Sequence, residues 1–330
     1  MDYKNLGRTG AKVSPLCLGC MNFGWGTEEA DSIAVIHRAL DAGINFLDTA
    51  DVYGQGASET ITGKALRGKR DAVFLASKVH GKMGEGPNEQ GNSRLHIIKG
   101  CEDSLRRLDV DYLDLYQIHR PQSDIAIDET LRALDDLVRS GKVRYIGTST
   151  FGAWQLCESL WQSEKLGLNR FVSEQPPYNI FDRRAERELF PFAQTFGFGI
   201  IPWSPLAGGM LTGKYRRNEK GPEGSRYESG KFRSGEPVPD AAWDALEGVE
   251  ALAKEKGCAL DAFAIAWCAA NPAVTSPIIG PRTMEQLEGN LKALDVEITD
   301  EDKKRIDEIV KPGTHVAEYY QADFGPSQYR

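Results

Sequence analysis

The stretch DYLDLYQIHRPQSDIAIDETLRALDDLVRSGKVRYIGTST, residues 111–150, carries one complete strand–helix–strand unit. Its outer parts are apolar runs at 112–118 and 143–147, and residues 128–140 between them repeat apolar positions at helical spacing. Asp128 marks the helix start and Gly141 its stop. The runs are continuous instead of alternating, which is expected where helices cover the outside of a parallel sheet and both strand faces are buried.

The same alternation extends in both directions. Strand-like runs stand at about 16–19, 44–48, 72–77, 112–118, 143–147, 171–175, 198–203 and 274–279. Helical spacing appears at about 28–42, 57–67, 93–108, 128–140, 151–166 and 183–196, then in a pair at 240–256 and 260–269, and again at 283–293 and 301–310. Eight such units predict an α/β fold, a closed (β/α)₈ TIM barrel. An open doubly wound sheet would carry a dinucleotide fingerprint after an early strand, but Gly24-Trp25-Gly26 and Gly54-Gln55-Gly56 lack the third glycine. At about 150 residues per domain the length suggests two domains, yet barrels run longer as one. Residues 1–330 are therefore read as a single domain. It opens with an N-terminal β-hairpin at 1–16 around Leu6-Gly7-Arg8-Thr9-Gly10, has a long Gly/Pro-rich and charged loop at 207–239, and ends in a tail at 311–330. A second loop rich in glycine spans 80–93. Loops after barrel strands lie at the C-terminal face, where binding sites are built.

Forty Lys plus Arg against 48 Asp plus Glu give a formal charge of −8, which disfavours nonspecific binding to nucleic acid or anionic membrane. The N-terminal residues lack a signal-peptide apolar region and no run of 18 apolar residues occurs, so a cytoplasmic location is expected. Of the six cysteines only Cys17 and Cys20 have metal-like spacing, with no second pair or nearby histidine to complete a zinc site.

Four polar residues fall at or just beyond successive strand ends: Asp48 in NFLDTADVYG, Tyr53 five positions on, Lys78 closing VFLASK, and His119 closing YLDLYQIHR. In a barrel such ends face one pocket despite their separation in sequence. A tyrosine hydroxyl has an ordinary pKa of about 10, so acid–base work near neutrality needs an electropositive neighbour. Lys78 supplies that charge, Asp48 pairs with Lys78, and His119 hydrogen-bonds a substrate oxygen. The set suits carbonyl reduction, with Tyr53 giving the proton and a cofactor giving hydride.

In these residues, and in LGRTG, GKVRYIGTS, IPWSPLAGGMLTGKY and IIGPRTMEQLEGNL, the chain resembles the aldo-keto reductase superfamily. The similarity is to its bacterial, aryl-alcohol-dehydrogenase-like branch, related to potassium-channel beta subunits. That resemblance implies a (β/α)₈ barrel using NADPH/NADP+ in extended form, with Asp48, Tyr53, Lys78 and His119 as catalytic tetrad. It implies Gly19 and Met21 near the nicotinamide, Ser149 and Gln175 at its carboxamide, and Trp203 on the ring. Ser204, Pro205, Leu206, Gly208 and Lys214 would follow the pyrophosphate. Gly280, Arg282, Gln286 and Asn290 would take the adenosine end, with Arg282 pairing a 2′-phosphate and so favouring NADPH. Thr150 departs from the family's GxSN pattern, and Gly289 stands where many relatives carry an acid that contacts adenine.

Trp25, Gln55-Gly56, Tyr178 and the two long loops are candidates for the substrate opening, and Arg120 would attract an acidic group if turned inward, though an outward position is expected. The expected partner is a small-molecule carbonyl substrate, with neither nucleic acid nor membrane, and a homo-oligomer stays open. Two other readings are an NADP(H)-binding redox-sensing regulatory subunit with slow turnover, and an aryl-alcohol or sugar dehydrogenase working in the oxidising direction. His119, which completes the reductase set, weighs against the sensor.

Overall fold

The apolar runs form strands, and prolines limit the length of two of them. The computed structural model describes residues 1–225, 227–228 and 237–317. β1 (Lys4–Asn5) and β2 (Lys12–Val13) make an antiparallel hairpin. The chain then alternates through β3 (Cys17–Gly19), α1 (Glu29–Asp41), β4 (Phe46–Asp48), α2 (Ala57–Ala65), β5 (Phe74–Val79), α3 (Arg94–Leu108), β6 (Leu113–Ile118) and α4 (Ile127–Arg139). It continues with β7 (Val143–Ser149), α5 (Ala153–Leu166), β8 (Phe171–Gln175), α6 (Leu189–Phe196), β9 (Gly199–Ile200), α7 (Asp240–Glu255), α8 (Leu260–Ala269), β10 (Ile278–Ile279), α9 (Met284–Leu291) and α10 (Asp300–Ile309).

In α4, Leu131, Leu134 and Leu137 form the buried stripe that the periodicity predicts. Asp128 is not the cap: Ala126 holds that position, and Asp128 lies in the first turn, where its charge favours the helix N-terminus. Gly141 ends the helix as expected, with a left-handed φ of 78° and its N–H on the Val138 carbonyl.

The eight strands β10-β3-β4-β5-β6-β7-β8-β9 lie side by side in one curled parallel sheet. Its closure is less complete than expected. β9 and β10 share no strand ladder; an isolated bridge between Ile200 and Val274 spans the seam, with Thr275 N donating to Ile200 O and Ile278 N to Pro202 O, each at 2.8 Å. Pro202 and Pro277 fall inside the two runs and lack the N–H a ladder needs, so each strand shrinks to two residues.

Strand alternation separates two apolar layers. Cys17, Phe46, Phe74, Ala76, Leu115 and Ile201 face inward, while Leu18, Leu47, Leu75 and Tyr116 pack under the helices. Leu6 and Val13 of the hairpin join the inner layer, and Arg8 N bonds Gly197 O just before β9. The hairpin thus plugs the end at which strands begin, and polar inward side chains gather at the other end. Of the long loop at 207–239, residue 226 and residues 229–236 lie outside the described residues, as do 318–330 of the tail. No helix among the described residues is long and apolar enough to cross a membrane.

Candidate active site

Asp48, at the end of β4, and Lys78, in β5, point inward from neighbouring strands and meet. Lys78 Nζ donates to Asp48 Oδ2 at 2.5 Å, to the Thr49 carbonyl at 2.8 Å and to Tyr53 Oη at 3.2 Å. The two charged side chains are 0% and 3% exposed, so water screens this pair very little. Asp48 Oδ1 accepts from Gln117 Nε2 at 3.0 Å and Gln175 Nε2 at 2.9 Å, which satisfies the rest of the buried carboxylate. Tyr53 opens a tight turn, Tyr53–Gly56, in which Gly54, Gln55 and Gly56 all take positive φ. The His119 ring stands edge-on to Tyr53, with centroids 5.6 Å apart. All four members of the predicted tetrad are therefore brought together. Gln117 is an addition: it was read as part of the apolar run at 112–118, although its place two residues before His119 puts it on the same inner face.

Burial alone would lower the Lys78 pKa, but Asp48 and Tyr53 outweigh it and raise the ammonium to about 12. Burial raises the Tyr53 hydroxyl above its ordinary range, with Lys78 opposing and Asp48 adding. Burial, then the Lys78 and Arg120 charges, push His119 well below its usual range, so its imidazole is neutral near pH 7.

The remaining predicted residues lie at other strand ends and in the turns that follow them. Ser149 Oγ donates to the carbonyl of Gln175 at 2.9 Å, and the Gln175 side chain reaches Asp48. Gly19 pairs in register with Asp48, and a Cβ there would lie 2.6 Å from Ile278 Cγ2, so packing alone demands glycine. Met21 follows, its carbonyl accepting from the exposed Trp25 at 2.6 Å. Trp203 lies beyond β9, bridged to Pro177. From Ser204 through Pro205 and Leu206 to Gly208 the backbone coils tightly, with left-handed φ at Ser204, Ala207, Gly208 and Gly209. Within the coil Ala207 N donates to Ser204 O at 2.9 Å and Gly209 N to Leu206 O at 2.8 Å. Lys214 Nζ stands 3.6 Å from where a Cβ on Gly209 would be, bringing a positive charge to that turn. Further on, Gly280 accepts from Asn22 through its carbonyl, and Arg282 N donates to Gln286 Oε1 at 2.8 Å ahead of α9, whose buried Asn290 lies near its end. These donors and cations could hold the phosphates of an extended anionic ligand.

Several expectations are refined. Tyr178 does not border an opening: it is fully buried, stacks on Trp267 and donates its hydroxyl to Glu186 at 2.6 Å. Arg120 lies across two strand ends, its Nη1 donating to the His119 carbonyl at 2.7 Å and to Thr150 Oγ1 at 3.4 Å. Thr150 itself has φ 59°, and its hydroxyl donates to the Ser149 carbonyl, so it braces the end of β7 where an amide was expected. At Gly289, a Cβ would stand 3.2 Å from Asp261 Oδ2, so α8 brings a carboxylate to the place where residue 289 offers none.

Glu174 was not anticipated. It is buried beside Gln175, where its carboxyl contacts the Thr148 hydroxyl and accepts from Phe151 N at 3.1 Å. Burial pushes its pKa up to about 8. An acid whose folded pKa exceeds its unfolded value loses stability as pH rises from the unfolded value, here about 4.5, toward the folded one. Glu174→Gln should therefore gain Tm relative to wild type as pH moves from 5 to 8.5. A gap in thermal melts that is constant with pH would contradict this.

The Aldo/keto reductase family pattern matches residues 15–311. A rice (Oryza sativa subsp. japonica) protein named probable voltage-gated potassium channel subunit beta is 39% identical over 97% of this chain and 100% of its own. Uncharacterized oxidoreductase YrpG of Bacillus subtilis is 39% identical over 97% of this chain and 99% of its own. Versiconal hemiacetal acetate reductase of Aspergillus parasiticus is 34% identical over 94% and 98% respectively. With a pattern spanning most of the chain and relatives aligned along nearly their full lengths, the chain belongs to the aldo/keto reductase family.

Proposed function

We propose that the protein is an NADP(H)-dependent oxidoreductase that reduces aldehydes or ketones to alcohols. The observation that carries this reading is the buried Lys78 ammonium bonded at once to Asp48 and to the Tyr53 hydroxyl, with neutral His119 edge-on to the tyrosine ring. Ser149, Gln175 and Trp203 would hold the nicotinamide end, the Ser204–Gly209 turn with Lys214 the pyrophosphate, and Arg282, Gln286, Asn290 and the Asp261 carboxylate the adenosine end. Bound there, the cofactor supplies a hydride to the carbonyl carbon.

The protein's own groups handle the oxygen. His119, neutral and therefore holding one N–H, donates to the carbonyl oxygen and orients it. Tyr53 gives up its proton to that oxygen, and the phenolate left behind is stabilised by Lys78. Asp48 keeps Lys78 charged and in place, while Gln117 and Gln175 hold Asp48. In the reverse direction the same groups take the proton back, so the cellular cofactor ratio would set net flux.

The test is NADPH oxidation over a panel of aldehydes, ketones and aldoses, repeated with NADH. Turnover with NADPH is expected to exceed that with NADH. Arg282→Ala should shrink that preference about tenfold, the equivalent of about 1.4 kcal/mol. Tight NADP(H) binding with no turnover of any carbonyl would sink the reductase reading and favour a regulatory subunit, the role in the rice relative's name.

A further inference from the structure

Lys78 and Tyr53 sit on separate elements, so their 3.2 Å contact depends on how β5 and the Tyr53–Gly56 turn are held together. On the outer face of β5, one residue before Lys78, Ser77 Oγ donates to Glu59 Oε1 at 2.5 Å. Glu59 lies in the first turn of α2, fully buried, and its other oxygen accepts from Arg107 Nε of α3 at 2.6 Å. Arg107 also runs over the tyrosine turn: a Cβ on Gly56 would stand 2.5 Å from Arg107 Cδ and 2.9 Å from Nε. One ion pair thus touches the strand carrying Lys78 and the turn carrying Tyr53, from behind the pocket and without reaching it.

With Glu59 fully buried and the Arg107 side chain 24% exposed, desolvation offsets much of the attraction, so the pair is a weak source of stability. Here it sits at the junction between the strand that carries Lys78 and the turn that carries Tyr53. We propose that Glu59 and Arg107, through Ser77 and the Gly56 turn, are positioning residues that set the distance from Lys78 to Tyr53 and so the ease with which Tyr53 loses its proton. This rests on the reading of Tyr53 as proton donor. Tyr53 is faced by Asp48 from β4, Lys78 from β5, and His119 and Arg120 from the end of β6. The outer cluster holds one further carboxyl, Asp51, raised to about 7 by burial and by Glu59. All of these remain unchanged in the variants below.

The charge-neutral double variant Glu59→Gln/Arg107→Met avoids stranding a buried charge, and Ser77→Ala removes only the link to β5. With ¹³Cζ-labelled tyrosine and Tyr53→Phe to identify the signal, NMR titration reads the Tyr53 ionisation directly, without substrate. The double variant is expected to raise its midpoint by about one pH unit and to lower kcat about tenfold, with KM changed less than about twofold. Ser77→Ala should move both in the same direction by less. An unmoved Tyr53 titration in a folded double variant, or in Ser77→Ala if the double variant does not fold, overturns the proposal. So does a kcat loss that tracks only the fraction folded. Absence of carbonyl turnover in the wild type would count against the reductase reading instead, and the NMR titration would still decide the positioning role.

Discussion

Tyr53→Phe is expected to slow carbonyl reduction by about 10²- to 10⁴-fold, the range typical of a positioned general acid. Phenylalanine keeps the ring and its edge-on contact with His119 but removes the hydroxyl whose proton is proposed to pass to the substrate oxygen. Stability should change little. Lys78 loses only the longest of its three bonds, the 3.2 Å contact, and keeps Asp48 and the Thr49 carbonyl. A single hydrogen bond is worth about 1 kcal/mol net, so the melt should stay close to wild type. NADP(H) affinity, followed by fluorescence titration, should also hold, because the tyrosine hydroxyl lies outside the proposed cofactor track. Single-turnover kinetics check the main point. Hydride transfer at the wild-type rate in a folded Tyr53→Phe would show that another group supplies the proton.

Asp48→Asn is expected to cost about 3–5 kcal/mol of stability and most of the activity. Breaking a buried pair by removing one partner leaves the other charge uncompensated. In the wild type, Lys78 has a folded pKa raised to about 12 against an ordinary 10.5, so its pairing contributes stability that is present below about 10.5 and lost as pH rises through 12. Without the carboxylate, burial dominates and drives the lysine pKa below its ordinary value. The variant's deficit should then shrink between pH 7 and pH 10, as the stranded ammonium loses its proton. Thermal melts at both pH values test this, and a deficit independent of pH would mean that Asp48 acts by shape instead of charge. Lost activity follows from the same event, since a neutral lysine no longer stabilises the tyrosine phenolate.

The candidate tetrad was legible because each member sits at or just past the end of an apolar run, and parallel strands bring such ends together whatever their separation in sequence. Gln117 was not, although strand alternation places it inward beside His119, because a polar residue inside an apolar run draws no attention until its partner is known. That partner, Asp48, is 69 residues away. Glu59 and Arg107 escaped for a related reason: each reads as an ordinary charge on a helix, and only the packing of α3 against α2 makes them neighbours. Glu174, in FVSEQ, carries no signal of its own inside the strand run 171–175, and burial in the packed structure raises its pKa.

Local physics settled the order of the elements. Apolar runs bounded by Gly43, Gly68 and Gly141, which all take positive φ, had to become alternating strands and helices, and the hairpin before β3 followed from its turn residues. How the ring of strands meets at its seam lay beyond that reasoning. Whether β9 and β10 could ladder depended on Pro202 and Pro277 facing one another across the gap, a matter of pairing partners that spacing along the chain does not encode. Likewise, residue types showed that Lys78 could charge-pair and Tyr53 could give a proton. Only the tertiary arrangement made Lys78 fully buried, bound to Asp48 and within 3.2 Å of that hydroxyl, because burial and distance are properties of the packed chain.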